Sequence, residues 1–269
     1  MERALGLMAG AGVLPVLIAE RARGQGWRVV EFAFPGAADL GRRVERVIPS
    51  RLTEVATVLE AVGAQRLTAV VLCGRFSMPD LLRAETADAQ ALDLAARAGA
   101  RVDVKLVEAV IAAFASVGVE VLDQRAFLGD QLLGSGCWSR RAPTEAEWGE
   151  IRRGLDVARL LADQRIGQTV VLRHGAVTAV EAVEGTTEAI RRGTALGGPG
   201  TVIVKAVARN HDYRIDTPAI GPETIAAAAA GGAAVLGVEA GRVMMIEREA
   251  TVHAADAAGL ALVSVDGAG

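Results

Sequence analysis

The stretch that decides the fold runs Leu5-Gly-Leu-Met-Ala-Gly-Ala-Gly-Val-Leu-Pro-Val-Leu-Ile-Ala-Glu-Arg-Ala-Arg-Gly-Gln-Gly-Trp-Arg-Val-Val-Glu-Phe-Ala33. Leu5 to Ala9 is a short apolar run of the kind that forms a strand buried on both faces. Gly10-Ala-Gly12 reads as a tight turn, and Val13 to Arg23 as a helix whose first turn tolerates Pro15. Arg28 to Ala33 supplies a second strand. A β-turn-α-β unit opens the chain and predicts a parallel sheet.

The alternation continues outward. Val55, Val58, Leu59 and Val62 share one face of a predicted helix over Thr53 to Val62, and Thr68 to Cys73 reads as a third strand. Asp80 to Val117 carries helical spacing (Leu92, Ala95, Ala96; Val107, Val110, Ile111, Phe114) that predicts two helices before a strand at Val119 to Leu122. Periodicity fades between Gly129 and Pro143, which reads as a linker. The chain is therefore read as two α/β domains, a Rossmann-like parallel sheet with helices over 1–135 and a mixed α/β domain over 136–269.

In the second half, Thr144-Glu-Ala-Glu147 has capping-box spacing and predicts a helix to Ala162. Thr169 to Arg173 and Ala176 to Val183 predict two strands joined at His174-Gly175, followed by a helix through Arg192. Thr201 to Val207 is a strand, and Gly221-Pro222-Glu223 starts an Ala-rich helix to Ala230. Strands at Ala234 to Val238 and Arg242 to Ile246, a last helix and a strand at Leu260 to Val265 follow.

Composition narrows the function classes. Apolar residues make up 51% of the 269, but no run approaches the roughly 18–20 needed to cross a bilayer, and no export signal is visible. Cys73 and Cys137 lack metal-ligand spacing and read as reduced, packed thiols. With 29 basic and 32 acidic residues scattered along the chain and 3% aromatics, there is no nucleic-acid footprint. A cytoplasmic protein is expected.

Gly10-Ala-Gly12 looks like a dinucleotide fingerprint, yet the third glycine of G-x-G-x-x-G is replaced by Pro15, so a nicotinamide-dependent oxidoreductase is disfavoured. What remains open is a phosphate cradle of backbone N–H groups or a purely structural turn. In Asn210 to Gly221, an extended backbone places Asp212, Arg214 and Asp216 on one face, with Tyr213 and Ile215 opposite. Two carboxylates flanking a guanidinium suit diphosphate hydrolysis, holding Mg²⁺ or orienting water while charge on the phosphoryl oxygens is neutralised. Glu181 and Glu184 are further candidate metal oxygens beside Thr186 and Thr187. Arg75 and Ser77 follow the third strand, where α/β proteins bind ligands. His211 alone of the three histidines has neighbours suited to ligand contact.

Taken in order, Leu5 to Pro15, the Gly74 to Asp80 loop, Ile166-Gly-Gln168, Ala179 to Thr186 and Arg214-Ile-Asp-Thr-Pro-Ala-Ile-Gly221 resemble the bacterial UDP-2,3-diacylglucosamine diphosphatase family of the alternative type. That family is unrelated to the calcineurin-like enzymes performing the same lipid A step. The resemblance implies a Mg²⁺-dependent hydrolase, with Mn²⁺ as the alternative ion, that cleaves its glycolipid nucleotide to UMP and 2,3-diacylglucosamine 1-phosphate by attack of water on the lipid-side phosphorus. It implies a ligand cleft between the domains, transient contact with the inner-membrane surface, and permits a homodimer.

Asp216 takes the catalytic position of the Arg-x-Asp-x-Pro motif, and Asp216, Asp212, Glu181 and Glu184 are the candidate metal ligands. The candidate substrate contacts are Gly10, Gly12, Val13, Arg75, Phe76, Ser77, Gln168, Thr169, Val170, Thr186, Thr187, Lys205 and Arg214. Departures from the family pattern are Arg165 and Thr187 where acids are usual, Ala208-Arg209 in place of Lys-Pro, and Val104 in place of a second Asp. They motivate the alternative of a non-catalytic or altered-specificity protein that binds a UDP-sugar or glycolipid phosphate.

Overall fold

The computed structural model describes residues 3–76 and 104–267. The chain forms two compact units, Met1–Gly129 with Asp212–Thr217, and Asp130–His211 with Pro218–Gly269. A short segment of the second half of the sequence thus belongs to the first unit.

In that first unit, β1 (Ala4–Ala9), β2 (Arg28–Ala33), β3 (Arg46–Pro49), β4 (Ala69–Cys73) and β5 (Glu120–Val121) form one sheet in the order β3-β2-β1-β4-β5. Every pairing is parallel. The connections are α1 (Leu14–Gly24), α2 (Val55–Ala64) and α3 (Val104–Ser116), and α4 (Arg125–Leu128) follows β5. Met8, Val30, Phe32 and Val70 pack with Val58, Val62 and Phe114 on one face. On the other face α1 lies on β1 and β2. Pro15 costs α1 nothing, because a first-turn N–H has no intrahelical acceptor.

The second unit holds a mixed six-stranded sheet, order β6-β13-β11-β9-β7-β8. Its strands are β6 (Gly136–Cys137), β7 (Thr169–Arg173), β8 (Ala176–Val180), β9 (Val202–Lys205), β11 (Val235–Glu239) and β13 (Ala261–Val265); β10 (Ala219–Ile220) pairs with β12 (Met244–Met245) apart from it. α5 (Glu145–Asp163) covers one face, packing Ile151, Leu155 and Ala158 on Val170, Leu172 and Val204. α6 (Thr186–Gly197), α7 (Pro222–Ala230) and α8 (Arg248–Ala257) contribute Ile190, Ile225 and Ala255 to the other. The Thr144–Glu147 capping box starts α5 as its spacing requires, each partner satisfying the other's orphan N–H.

Three readings of the sequence are corrected. The stretch from Gly129 to Pro143 is not all linker: Gly136–Cys137 is an antiparallel edge strand on β13, too short to show periodicity. Cys137 is consequently exposed, whereas Cys73 is packed. Arg242 to Ile246 contributes only two strand residues, paired with β10 rather than with the main sheet. The first predicted helix after Asp80 lies outside the described residues. No described helix is long and apolar enough to cross a membrane.

Candidate active site

The Asp212–Asp216 segment is not extended. The N–H groups of Ile215 and Asp216 both donate to the carbonyl of Asp212, at 3.1 and 3.4 Å, which makes a single helical turn. The cause is local: the Asp212 carboxylate accepts from the N–H of Arg214 at 3.0 Å and from its guanidinium at 2.6–3.1 Å. Side chains of this type bond their own backbone two residues on and curl it into a turn. Period two therefore gives way to a spacing of four, which still leaves Asp212 and Asp216 on one side. Arg214 reaches Asp212 by folding back, not by alternation.

Beneath the turn lies a group that the sequence reading does not single out. The Gln124 N–H donates to the Tyr213 carbonyl at 3.1 Å, and the buried Thr217 hydroxyl donates to the Gln124 amide oxygen. Arg125 stacks over the Tyr213 ring at 4.2 Å and grips Asp123 with its guanidinium. Burial acts to raise the Asp123 carboxyl, but the hydrogen bonds and charge of Arg125 outweigh it and hold the group below the usual range. Tyr213 and Thr217 are buried and Asp216 is exposed, so the turn is pinned from below with its last carboxylate facing solvent. The available signal was position: Asp123-Gln-Arg125 follows β5 at the carboxyl edge of a parallel sheet.

The glycine turn after β1 has a definite structural duty. Gly10 N–H donates to Cys73 O at 2.8 Å, Ala11 N–H to Arg75 O at 2.9 Å, and Arg75 N–H to Ala11 O at 2.8 Å. A Cβ on Gly10 would lie 2.5 Å from the Arg75 carbonyl oxygen. Gly10 and Ala11 thus spend their donors on Cys73 at the end of β4 and on Arg75 in the loop after it, and the phosphate-cradle reading loses them. Gly12, at φ +103°, and Val13 lead into α1, which has no side-chain hydrogen bond at its N-cap. Phe76 packs edge-on against Phe34. Ser77 lies outside the described residues.

A third cluster gathers in the second unit. Lys205, buried at the end of β9, donates to the Thr186 hydroxyl at 3.0 Å and sits 3.8 Å from Glu181. Thr186 donates to Glu181 at 2.8 Å, and the Gln168 N–H donates to the same carboxylate at 3.3 Å. Burial pushes the Glu181 carboxyl up, but the Lys205 ammonium and these donors overcome it and keep the group ionised below its ordinary range. Gly167 is required here, because a Cβ would collide with the Glu181 carbonyl. Gly185, at φ +84°, caps α6 without a side-chain bond, so Thr186 and Thr187 stand in its first turn beside a buried ammonium. Such an arrangement favours anions.

Of the remaining candidates, Thr169 is buried at the start of β7. Val170 packs its side chain in the α5 core. Glu184 is tied to Arg192 at 2.6 Å. The loop after β9 is anchored by Glu239, which accepts from Val207 N–H at 2.8 Å and from Arg159 at 3.0 Å, and by Arg242, which donates to the carbonyls of Ala208 and Arg209. Arg209 pairs with Asp163 at 2.5 Å. Of the four proposed metal carboxylates, Asp212 and Asp216 belong to the first unit and Glu181 and Glu184 to the second. Among the described residues no group of three or more His, Cys, Asp and Glu forms a metal cluster.

Residues 4–131 match the family model of the LpxI N-terminal domain, and residues 134–263 that of the LpxI C-terminal domain. The chain belongs to the LpxI family. A curated LpxI, the UDP-2,3-diacylglucosamine pyrophosphatase of Caulobacter vibrioides, is 33% identical over 288 residues, covering 98% of each chain. Two solved structures show a weaker likeness to this LpxI-family chain. A CobK precorrin-6A reductase aligns at 15% identity over 100% of this chain and 89% of its own, with a TM-score of 0.35. A protein described as a putative epimerase from Burkholderia cenocepacia aligns at 14% over 98% and 82%, with a TM-score of 0.36. Neither likeness is close enough to bear on function.

Proposed function

We propose that the protein hydrolyses the diphosphate of UDP-2,3-diacylglucosamine, releasing UMP and 2,3-diacylglucosamine 1-phosphate for lipid A synthesis. The end-to-end identity with the Caulobacter pyrophosphatase carries this reading. In the reaction a water oxygen bonds to the lipid-side phosphorus, the bridging P–O bond breaks, and the bridging oxygen leaves with UMP. Asp216, exposed on a turn that Asp212, Gln124 and Thr217 hold in shape, orients that water and accepts its proton. Lys205 and the first turn of α6 are suited to hold phosphoryl oxygens, since a cation and a helix N-terminus both favour growing negative charge.

Asp212 and Asp216 offer the oxygen-only donors that Mg²⁺ takes, one or two carboxylates completed by water and substrate phosphate. Asp216, the more exposed of the two, is the principal ligand in this reading. When bound, the ion supplies charge neutralisation at the diphosphate. The acyl chains of the substrate bring the protein transiently to the bilayer surface. A binding-only member remains the competing reading, favoured by Arg165, exposed in a left-handed turn where the family usually places an acid, and by Thr187.

The decisive experiment incubates purified protein with substrate and Mg²⁺ in ¹⁸O-water. The expected result is UMP release with ¹⁸O in the lipid phosphate, and loss of turnover by about 10³-fold or more in Asp216→Asn with its circular dichroism unchanged, as for removal of a principal catalytic group. Thermal stabilisation by the substrate without UMP, or full turnover by Asp216→Asn, overturns the reading.

A further inference from the structure

The first unit carries a cavity on the side of its sheet opposite the glycine turn. It has a volume of about 260 Å³ and is lined by Arg23, Trp27, Arg28, Arg42, Arg43 and Glu45, with Val29 and Val44. Arg23 belongs to the last turn of α1, Arg28 begins β2, and Arg42 and Arg43 form a 3₁₀ turn just before β3. All of these mark the amino edge of a parallel sheet. Gly10, Gly12 and Arg75 lie at the carboxyl edge, the opposite edge of the same sheet from the cavity.

Its charge is one-sided. Four guanidinium groups face a single lining carboxylate, and that carboxylate, Glu45, is already paired with Arg28 at 3.6 Å. Arg28 is further fixed to the Gln65 carbonyl at 2.6 Å, and Arg43 to Glu20 at 2.6 Å. Arg23 donates only to the Arg42 carbonyl, which draws the two arginines together. Neither Arg23 nor Arg42 has a carboxylate partner among the described residues. Holding like charges together is unfavourable unless an anion sits among them.

Trp27 adds a second, independent mark. Its ring is fixed between the Arg3 guanidinium, 4.0 Å from the centroid, and Phe127 at 6.4 Å. Its Nε1–H is shielded from solvent and meets no acceptor among the described residues. Buried donors are almost always satisfied. Arg23, with one N–H on the Arg42 carbonyl, Arg42 and Trp27 all line the cavity, and their remaining donors suit a compact group rich in acceptor oxygens. A phosphate ester answers that description, since arginine pairs with it through two parallel bonds.

We propose that this cavity is a phosphate-ester site, distinct from the hydrolytic centre. The arginines of α1 and the 3₁₀ turn grip the phosphoryl oxygens, and the cavity admits a headgroup no larger than a phosphorylated glycerol. The same chemistry is offered by a soluble phosphomonoester and by the headgroup of an anionic phospholipid.

The test uses the full chain, the double variant Arg23→Gln/Arg42→Gln, and Arg51→Gln as a control outside the cavity. Glycerol 3-phosphate is titrated calorimetrically, and co-sedimentation is measured with phosphatidylglycerol vesicles and with neutral phosphatidylcholine vesicles. Saturable binding of glycerol 3-phosphate, weakened about tenfold or more in the double variant and unchanged in Arg51→Gln, supports a soluble-ester site. Sedimentation with phosphatidylglycerol alone, lost in the double variant, supports a headgroup site. Binding to neither probe, or equal binding by the double variant, overturns the proposal. Because the variants leave Asp216 and Lys205 untouched, UMP release reports separately on the hydrolytic reading.

Discussion

Glu31 lies in the middle of β2, 1% exposed, with its Oε1 buried and unpartnered among the described residues. Burial, and secondarily the charge of Asp39, raises its carboxyl from 4.5 to about 7. Below pH 4.5 both the folded and the unfolded chain hold the proton, and the stability that this residue lends the fold is complete. As pH climbs past 4.5 the unfolded chain ionises while the folded chain keeps its proton, so stability is lost continuously until the folded carboxyl also ionises near 7. At about 1.4 kcal/mol per decade, the loss totals about 3 kcal/mol as an upper limit, nearly all of it accrued by pH 8. Glu31→Gln, which mimics the protonated form, removes this dependence and leaves the first unit more stable by about 2–3 kcal/mol at pH 8, with a gain under about 1 kcal/mol at pH 5. Urea unfolding followed by pulsed hydrogen–deuterium exchange on peptides from β1 and β2 isolates the unit concerned. Identical pH slopes for the two proteins between 5 and 8, or a less stable variant at pH 8, would refute the reasoning.

Other perturbations have equally definite outcomes. Gly10→Ala forces a methyl against the Arg75 carbonyl oxygen, which is backbone and cannot swing aside, and is expected to cost about 1–3 kcal/mol in a thermal melt. Glu239→Ala removes the carboxylate paired with Arg159 in the interior and the acceptor of the Val207 N–H, and is expected to lower stability by about 3–5 kcal/mol by urea midpoint. Glu145→Ala, which breaks only the exposed pair with Arg152, is expected to leave that midpoint unchanged. Removing divalent cations with EDTA is expected to stop UMP release, and Mg²⁺ to restore it; turnover that persists after exhaustive chelation removes the ion from the mechanism.

Elements that bury a continuous apolar run or start from a strong cap are legible in the amino-acid pattern alone. β1, α1, β2 and α5 fall within a residue or two of the sequence reading, because Leu5 to Ala9, Pro15 and the Thr144–Glu147 box each act locally. Edge pieces of two residues, such as Gly136–Cys137, have no periodicity to read. The Asp212–Asp216 turn escapes the pattern for a related reason. Alternation describes an extended backbone, and one side chain bonding its own chain at Asp212 is enough to replace it with a helical turn. Thr186 and Glu181 stand out through motif resemblance, whereas their hydrogen bonding with Lys205 depends on β9 and β7 being neighbours, a long-range pairing that no short window contains. Asp123, Gln124 and Arg125 carry no local signal of this kind, because what sets them apart is contact with Tyr213 and Thr217, some ninety positions later.

The membership of Asp212–Thr217 in the first unit bears on how the protein is made. The polypeptide passes from one unit to the other at three places, after Gly129, His211 and Thr217, so no single cut yields two self-sufficient fragments. On the ribosome the leading sheet can assemble early, yet Gln124 has no Tyr213 or Thr217 to bind until most of the second unit has emerged. The finishing stitch of the first unit is therefore sewn late, and the exposed carboxylate of Asp216 takes its place only in a chain whose two halves have both been synthesised.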